Sequence, residues 1–304
     1  MNALITEPGA YPGIDTADYH RNPDLLPGPS ISSSGLKTLM GRSPRHYWYD
    51  SPLNPDRPPE EDKPHFNVGK AAHDRLLLSD RWPDCYFVLP EDFNARKTKE
   101  QADYHAEREA AREAGKVILT HEEARTVYAM AASLRSNEFA AAALTHGESE
   151  VTLAWQDKET GVWLRARPDF LPHKRKIVPD LKTAANGSPQ AFRRAIDQFG
   201  YHMSAALYWD GIREIFGTEP TNWLHVVLEK EAPHVTSLYE LPQEDIERGR
   251  WLNRKAIRTY ADCLSADHWP GYADAPIQIG LPHWSRKTID DDETLHDAAW
   301  SQAA

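Results

Sequence analysis

One stretch constrains this chain more than any other. Residues 161–183 read Gly-Val-Trp-Leu-Arg-Ala-Arg-Pro-Asp-Phe, a short turn at 171–175, then Lys-Ile-Val-Pro-Asp-Leu-Lys-Thr. Side chains alternate with period two. Val162, Leu164 and Ala166 point one way and Trp163, Arg165, Arg167 and Asp169 the other. On the returning segment Ile177, Pro179 and Leu181 share one face, and Val178, Asp180 and Lys182 the opposite one. A turn centred near Lys174 predicts an antiparallel pair with Asp169 opposite Asp180. Directly opposed side chains have Cβ atoms roughly 5 Å apart, a spacing at which two carboxylates grip one divalent metal.

Two carboxylates with no cation between them repel, and one tends to take up a proton. A hard cation such as Mg²⁺ relieves this and keeps open positions for water and phosphate oxygens. Lys182, two residues beyond Asp180 on the same face, can hold an attacking water or steady charge on a phosphate. The alternative is a surface hairpin with scattered charges, since an Asp-x-Lys triplet is common.

The 304 residues suffice for a sizeable core, and the net charge of −11 means that a polyanion would have to meet a local basic surface. Cys85 and Cys263 have no metal-ligand spacing and make no disulfide framework, which fits a reducing compartment. No apolar run reaches membrane-spanning length, and the N-terminus lacks the regions of a signal peptide. The expected location is cytoplasmic, with no membrane partner.

Residues 1–30, rich in Pro, Gly and Asp, are expected to form an irregular N-terminal segment. Serines at 32–34 cap a helix that stops near Arg42-Ser43-Pro44, and residues 51–65 form a proline-rich loop. Helices are predicted over 66–78, 97–115 and 121–144, with a short strand at 85–89. On the first of these, Gly69 would let another backbone or a substrate approach closely, and His73 lies one turn on. A strand over 148–156 places Glu150 close to the metal face. Ser188-Pro189 starts a helix that runs to Phe216, carrying Arg193 and Arg194 near its beginning. Strands at 221–229 and 234–241 and a helix over 243–264 follow. Residues 31–270 therefore read as a single α/β domain, a central mixed β-sheet flanked by helices with an N-terminal helical portion. Residues 271–304 are a C-terminal tail without clear periodicity, expected to be partly mobile.

The pieces together resemble the RecE-like exonucleases (exonuclease VIII type) of the PD-(D/E)xK nuclease superfamily, found in phages, prophages and bacterial recombination systems. The matching parts are Ile31-Ser-Ser-Ser-Gly-Leu with Ser43-Pro44, Val68-Gly-Lys-Ala-Ala-His73, Arg167-Pro-Asp169, Asp180-Leu-Lys-Thr183, Tyr201-His-Met-Ser-Ala-Ala-Leu-Tyr208 and Val227-Leu-Glu-Lys-Glu-Ala-Pro233. They span roughly residues 30–240 in the family's order, and it is their ordered occurrence that is specific. The resemblance implies a PD-(D/E)xK restriction-endonuclease-like core. It implies metal-site roles for His73, Asp169, Asp180 and Leu181, a more variable acidic position at Glu150, and a catalytic lysine at Lys182. The glutamine that many relatives carry four residues before the helix tyrosine is here Ser204, ahead of Tyr208. Both are expected at the DNA, with Arg165, Arg167 and Arg193 near its phosphates.

The implied activity is Mg²⁺-dependent hydrolysis of DNA phosphodiesters, with Mn²⁺ as substitute. It would run 5′-to-3′ on linear double-stranded DNA and leave 3′ single-stranded tails for a single-strand annealing protein. A ring-like homo-oligomer is implied as well. The alternatives are a nuclease of this fold acting on single-stranded or branched DNA or as an endonuclease, and a non-catalytic DNA-binding scaffold.

Overall fold

The computed structural model describes residues 4–58, 67–94, 96 and 98–303. Much of the predicted 51–65 loop, and the predicted helix starts at Phe66 and Lys97, lie outside them. In chain order the strands are β1 (Gly9–Tyr11), β2 (Ser30–Ser32), β3 (Tyr86–Val88), β4 (Val117–Leu119), β5 (Gly147–Ser149), β6 (Thr152–Gln156), β7 (Trp163–Ala166), β8 (Phe170–Pro172), β9 (Ile177–Ala184), β10 (Asn222–Glu229) and β11 (Thr236–Leu241). The helices are α1 (Thr16–Arg21), α2 (Ser33–Gly41), α3 (Pro44–Asp50), α4 (Asn67–Leu77), α5 (Trp82–Cys85), α6 (Ala102–Glu113), α7 (His121–Ser136), α8 (Glu138–Ala143), α9 (Pro189–Gln198), α10 (Tyr201–Phe216), α11 (Gln243–Ala266) and α12 (His283–Ala303). Contacts divide the chain into residues 1–269 and 270–304.

The strands form a mixed system flanked by helices. One sheet has the order β1-β6-β7-β2 and another β11-β10-β9, with the pairs β5–β8 and β3–β4 beside them. The expected hairpin does not form. β7 pairs with β6 and β2, and β8 pairs with β5. β9 runs parallel to β10, with Asp180 opposite His225 rather than Asp169. The crossover between β9 and β10 is made by α9 and α10, since parallel neighbours need a long connection.

The β9–β10 ladder separates two cores, and the alternation explains how. Val178 and Trp223 face the core built on α2, α10 and α11. Leu181, Val226 and Leu228 face the core that includes Ala71, Ala72, Val127 and Met130 from α4 and α7. Each fully buried aliphatic side chain of this kind contributes about 1.5–3 kcal/mol. Asp180 and Lys182 share the face of Val178, so they emerge where that core ends.

Three expected continuous elements are broken, two of them beside the site. The strand over 148–156 splits into β5 and β6 because Glu150 adopts a left-handed backbone with φ of 57°. The helix over 188–216 splits at Gly200, whose φ of 61° ends α9 and starts α10. Within the expected 121–144 helix, the Asn137 side chain accepts from the Ala140 amide and starts α8 afresh.

The N-terminal segment is not irregular. β1 pairs with β6, and Ile5, Tyr19, Leu25 and Leu26 pack with Ala154 and Trp163. The tail is not aperiodic either, for it carries the 21-residue α12.

Candidate active site

Four elements supply the candidate site. α4 brings His73, the break between β5 and β6 brings Glu150, the link between β7 and β8 brings Asp169, and β9 brings Asp180 and Lys182. α4 reaches this position because Gly69 lets it lie against β9. A Cβ there would sit 2.9 Å from Thr183 Oγ1, so the close approach read from the sequence is made by Thr183.

Among the described residues His73, Glu150 and Asp169 offer ligand atoms that all lie within 4.8 Å of one another. His73 Nε2 is 3.3 Å from Asp169 Oδ1, and its Nδ1 is 3.8 Å from Glu150 Oε1 and 3.7 Å from Asp74 Oδ1. Asp74 in turn accepts from the Tyr86 hydroxyl at 2.6 Å. An imidazole and two carboxylates converging in a half-buried position form a donor set that fits a divalent cation.

Asp180 stands outside that group and beside it. Its Oδ2 lies 2.6 Å from Lys182 Nζ and 3.1 Å from His225 Nδ1. Lys182 Nζ is also 3.7 Å from Asp169 Oδ2, so the ammonium links the two aspartates. Leu181 contributes through its backbone. Its amide donates to Asp169 Oδ2 at 2.8 Å, while its carbonyl accepts from Lys182 Nζ at 3.3 Å.

The charges set one another. Burial works against a charged His73, but Asp169, with Asp74 and Glu150 beyond it, raises the imidazole pKa to about 10. Burial likewise opposes ionised Asp169, yet Lys182, His73 and the Leu181 amide hold its carboxyl far below the usual range. Burial pushes the Glu150 carboxyl up against the pull of His73. Burial disfavours the Lys182 ammonium, and Asp180 and Asp169 outweigh it, so the lysine stays charged.

The expected DNA-facing residues divide. Arg165 and Arg167 are each 8% exposed. Arg167 donates to Thr152 Oγ1 and the Ile14 carbonyl and lies 4.3 Å over the Tyr19 ring. Arg165 donates to Ser30 Oγ and also lies over Tyr19. Both pin the N-terminal segment to the sheet, and their buried guanidiniums are spent on that. Arg193 stays exposed on α9. Ser204 is buried, its hydroxyl oxygen accepting from Ser33 at 2.8 Å and Lys37 at 3.1 Å. Tyr208 is half-buried, and its hydroxyl pKa is raised by burial, by Tyr19 and by the carboxylates of Asp169, Asp180 and Glu150.

Three neighbours escaped the sequence reading. His225 is fully buried and holds Asp180 across the parallel ladder. The Tyr201 ring lies 5.3 Å from Lys182 Nζ. Lys37, on α2, donates to Ser204 and lies near enough to Lys182 and Asp180 for their charges to act on it. The parallel register that aligns His225 depends on a crossover that no local pattern encodes. Lys37 was legible only as the lysine that follows the serine cluster by three residues.

Residues 32–276 match the family described as a PDDEXK-like domain of unknown function (DUF3799). No curated protein matches the sequence. Among solved structures, the chain is similar to a protein of Eubacterium rectale described as a putative exonuclease. The TM-score is 0.55 at 11% identity, over 83% of this chain and 91% of that one. It is also similar to a phage-related exonuclease of Haemophilus somnus 129PT, with a TM-score of 0.33 at 10% identity, over 79% of this chain and 96% of that one. The family match covers most of the chain, and the first structural likeness carries the same fold: the chain belongs to the PDDEXK-like domain family.

Proposed function

We propose that this protein is a divalent-metal-dependent deoxyribonuclease that hydrolyses DNA phosphodiesters. The observation that carries the reading is the convergence of His73, Glu150 and Asp169 beside the Lys182–Asp180 pair, in a chain of the PDDEXK-like family. His73, Glu150 and Asp169 would hold the cation, with Asp180 as the neighbouring carboxylate. The carboxylates suit Mg²⁺, and the imidazole extends the fit to Mn²⁺. A bound divalent ion supplies a more acidic water and a polarised phosphoryl oxygen.

The chain's own residues do the rest. The Lys182 ammonium, fixed by Asp180, donates to a phosphate oxygen or to the incoming water. The Leu181 amide keeps Asp169 from turning away. His225 fills one position of Asp180 Oδ2, so this carboxylate cannot rotate freely about Lys182. Among the described residues the exposed Arg193 and Arg194 of α9 make no ion pair, and they suit backbone phosphates.

Resemblance to the RecE-like enzymes supports a finer reading: 5′-to-3′ action on linear duplex DNA, 3′ tails passed to an annealing protein in recombination, a ring-like oligomer and a cytoplasmic setting. The test is digestion of a linear duplex labelled separately at its 5′ and 3′ ends, beside a closed circle, with Mg²⁺, Mn²⁺ or chelator. Metal-dependent loss of the 5′ label with the circle intact is expected. A nicked or linearised circle would replace the exonuclease reading with an endonuclease one. No cleavage under any metal would refute the enzyme.

A further inference from the structure

The half-buried Lys37 is a cation with no carboxylate of its own. Among the described residues none comes within ion-pair distance of it, and its Nζ donates instead to Ser204 Oγ at 3.1 Å. That hydroxyl is itself held by Ser33 at 2.8 Å, and Ser204 is only 7% exposed. The head group is thus fixed by a buried neutral acceptor that cancels none of its charge, and an ammonium has three hydrogens of which this contact uses one.

The stem of Lys37 is fixed as well. A Cβ on Gly200 would lie 2.9 Å from Lys37 Cδ. The left-handed glycine that starts α10 therefore also makes room for this lysine. The same helix end has no side-chain cap, so its first amides add positive potential on the side where Lys37 lies. Burial and the nearby charge of Lys182 both lower the Lys37 pKa, while Asp180 raises it less. Two lysines from separate elements thus converge on one wall of the site. Among the described residues the second has no carboxylate in ion-pair contact, a costly arrangement unless an anion joins it.

We propose that Lys37 binds a backbone phosphate of the DNA strand being cut, with Ser204 as the positioning residue that aims it. The inference rests on the nuclease reading and assigns to this site a second phosphate contact beside that of Lys182. It also gives Ser204 a role: it acts through Lys37 and does not itself touch DNA.

The test is duplex binding by fluorescence anisotropy across a salt series with Ca²⁺ in place of the cleavage-supporting metal, together with steady-state cleavage in Mg²⁺. Lys37→Gln is expected to lower the salt slope by about one phosphate contact, close to 0.9 in log–log terms. It should also raise KM more than it lowers kcat. Lys37→Arg should restore the slope. Ser204→Ala should raise KM with the slope unchanged, a split that a merely structural serine would not produce. Thermal melts verify folding, and should Lys37→Gln not fold, Lys37→Arg and Ser204→Ala still decide. A wild-type slope and KM in Lys37→Gln, or an unchanged KM in Ser204→Ala, would overturn the inference and leave the nuclease reading standing. Wild-type protein that neither binds nor cuts the duplex would overturn both.

Discussion

His225→Phe separates stability from site geometry. His225 is 0% exposed, and its Nδ1 lies 3.1 Å from Asp180 Oδ2. A carboxylate only accepts, so Nδ1 carries the hydrogen of this bond. No partner for Nε2 lies among the described residues. Phenylalanine deletes the bond to Asp180, a loss of about 1.5–3 kcal/mol for a charged acceptor, but it also deletes the unpaired buried nitrogen, which costs about 1–3 kcal/mol. The ring environment suits the exchange, since Phe192, Tyr201 and Trp223 already surround His225 with centroids 5.3, 5.8 and 6.2 Å away. The two terms nearly cancel, and the extra bulk of the phenyl ring leaves a net destabilisation of about 1 kcal/mol. For a chain of this size that is a fall in Tm of about 1.5–2 °C.

Activity should not cancel in this way. Without His225, Asp180 keeps Lys182 as its only donor among the described residues and can swing about it. Losing a partner that orients a group at a metal site costs about 10–100-fold, or about 1.4–2.7 kcal/mol in the barrier. The assay is single-turnover cleavage of a linear duplex over a Mg²⁺ titration, beside thermal melts. His225→Phe with wild-type rate and metal dependence would refute the orienting role. A collapse in Tm with the surviving folded fraction fully active would make the hydrogen bond structural.

Glu150→Gly should relieve about 1 kcal/mol of left-handed backbone strain while removing a ligand. Tm at or slightly above wild type with Mn²⁺ affinity at least about tenfold weaker, by calorimetry, is the expected pair, and a large fall in Tm would contradict it. Lys182→Ala leaves the buried Asp180 carboxylate with His225 alone, so a loss of about 1–3 kcal/mol in stability should accompany a rate about 10²–10³-fold lower. Retained cleavage would remove Lys182 from the site. Away from the site, Asp157 takes both nitrogens of the Arg254 fork at 2.9 and 2.6 Å and two donors from Thr160. Burial raises its pKa, but Arg254 and Thr160 outweigh this and leave it lowered. Its stabilisation is therefore present above the ordinary carboxylate pKa of about 4 and lost as pH falls through the lower folded value. Asp157→Asn should cost about 2 kcal/mol at pH 7 and much less at pH 3, by urea melts, and equal losses at both would count against the pair.

What was legible in the sequence follows from the range over which each constraint acts. Alternation along 161–183 is local, and the faces it assigned are those observed: Val162 and Leu164 lie in one core and Trp163 in another. The pairing partner of each strand is not local. Asp169 and Asp180 do meet, but through Lys182 and the Leu181 amide, because β9 runs beside β10 and not beside β7. Eleven residues of separation point to a hairpin, whereas the chain uses about forty on a helical crossover to place His225 opposite Asp180. Charge misled in a similar way. Arg165 and Arg167 alternate with apolar residues as strand arginines at a phosphate would, yet Tyr19, Ile14 and Ser30 from the N-terminal segment cover them.

The breaks at Glu150 and Gly200 carry a further consequence. Each interrupts an element that propensity alone would have continued, and each sits where a functional side chain needs a direction that the regular element does not give. A continuous strand through 148–156 would keep Glu150 in the alternation with Thr152 and Ala154, both fully buried. The left-handed residue turns it instead toward His73. Any other residue in this left-handed turn at 200 would put a Cβ into the stem of Lys37. Strain at Glu150 and the glycine at 200 are therefore retained against local stability, and stabilising either position by restoring the regular element should cost activity. That is the opposite of what substitution in a merely structural loop would do.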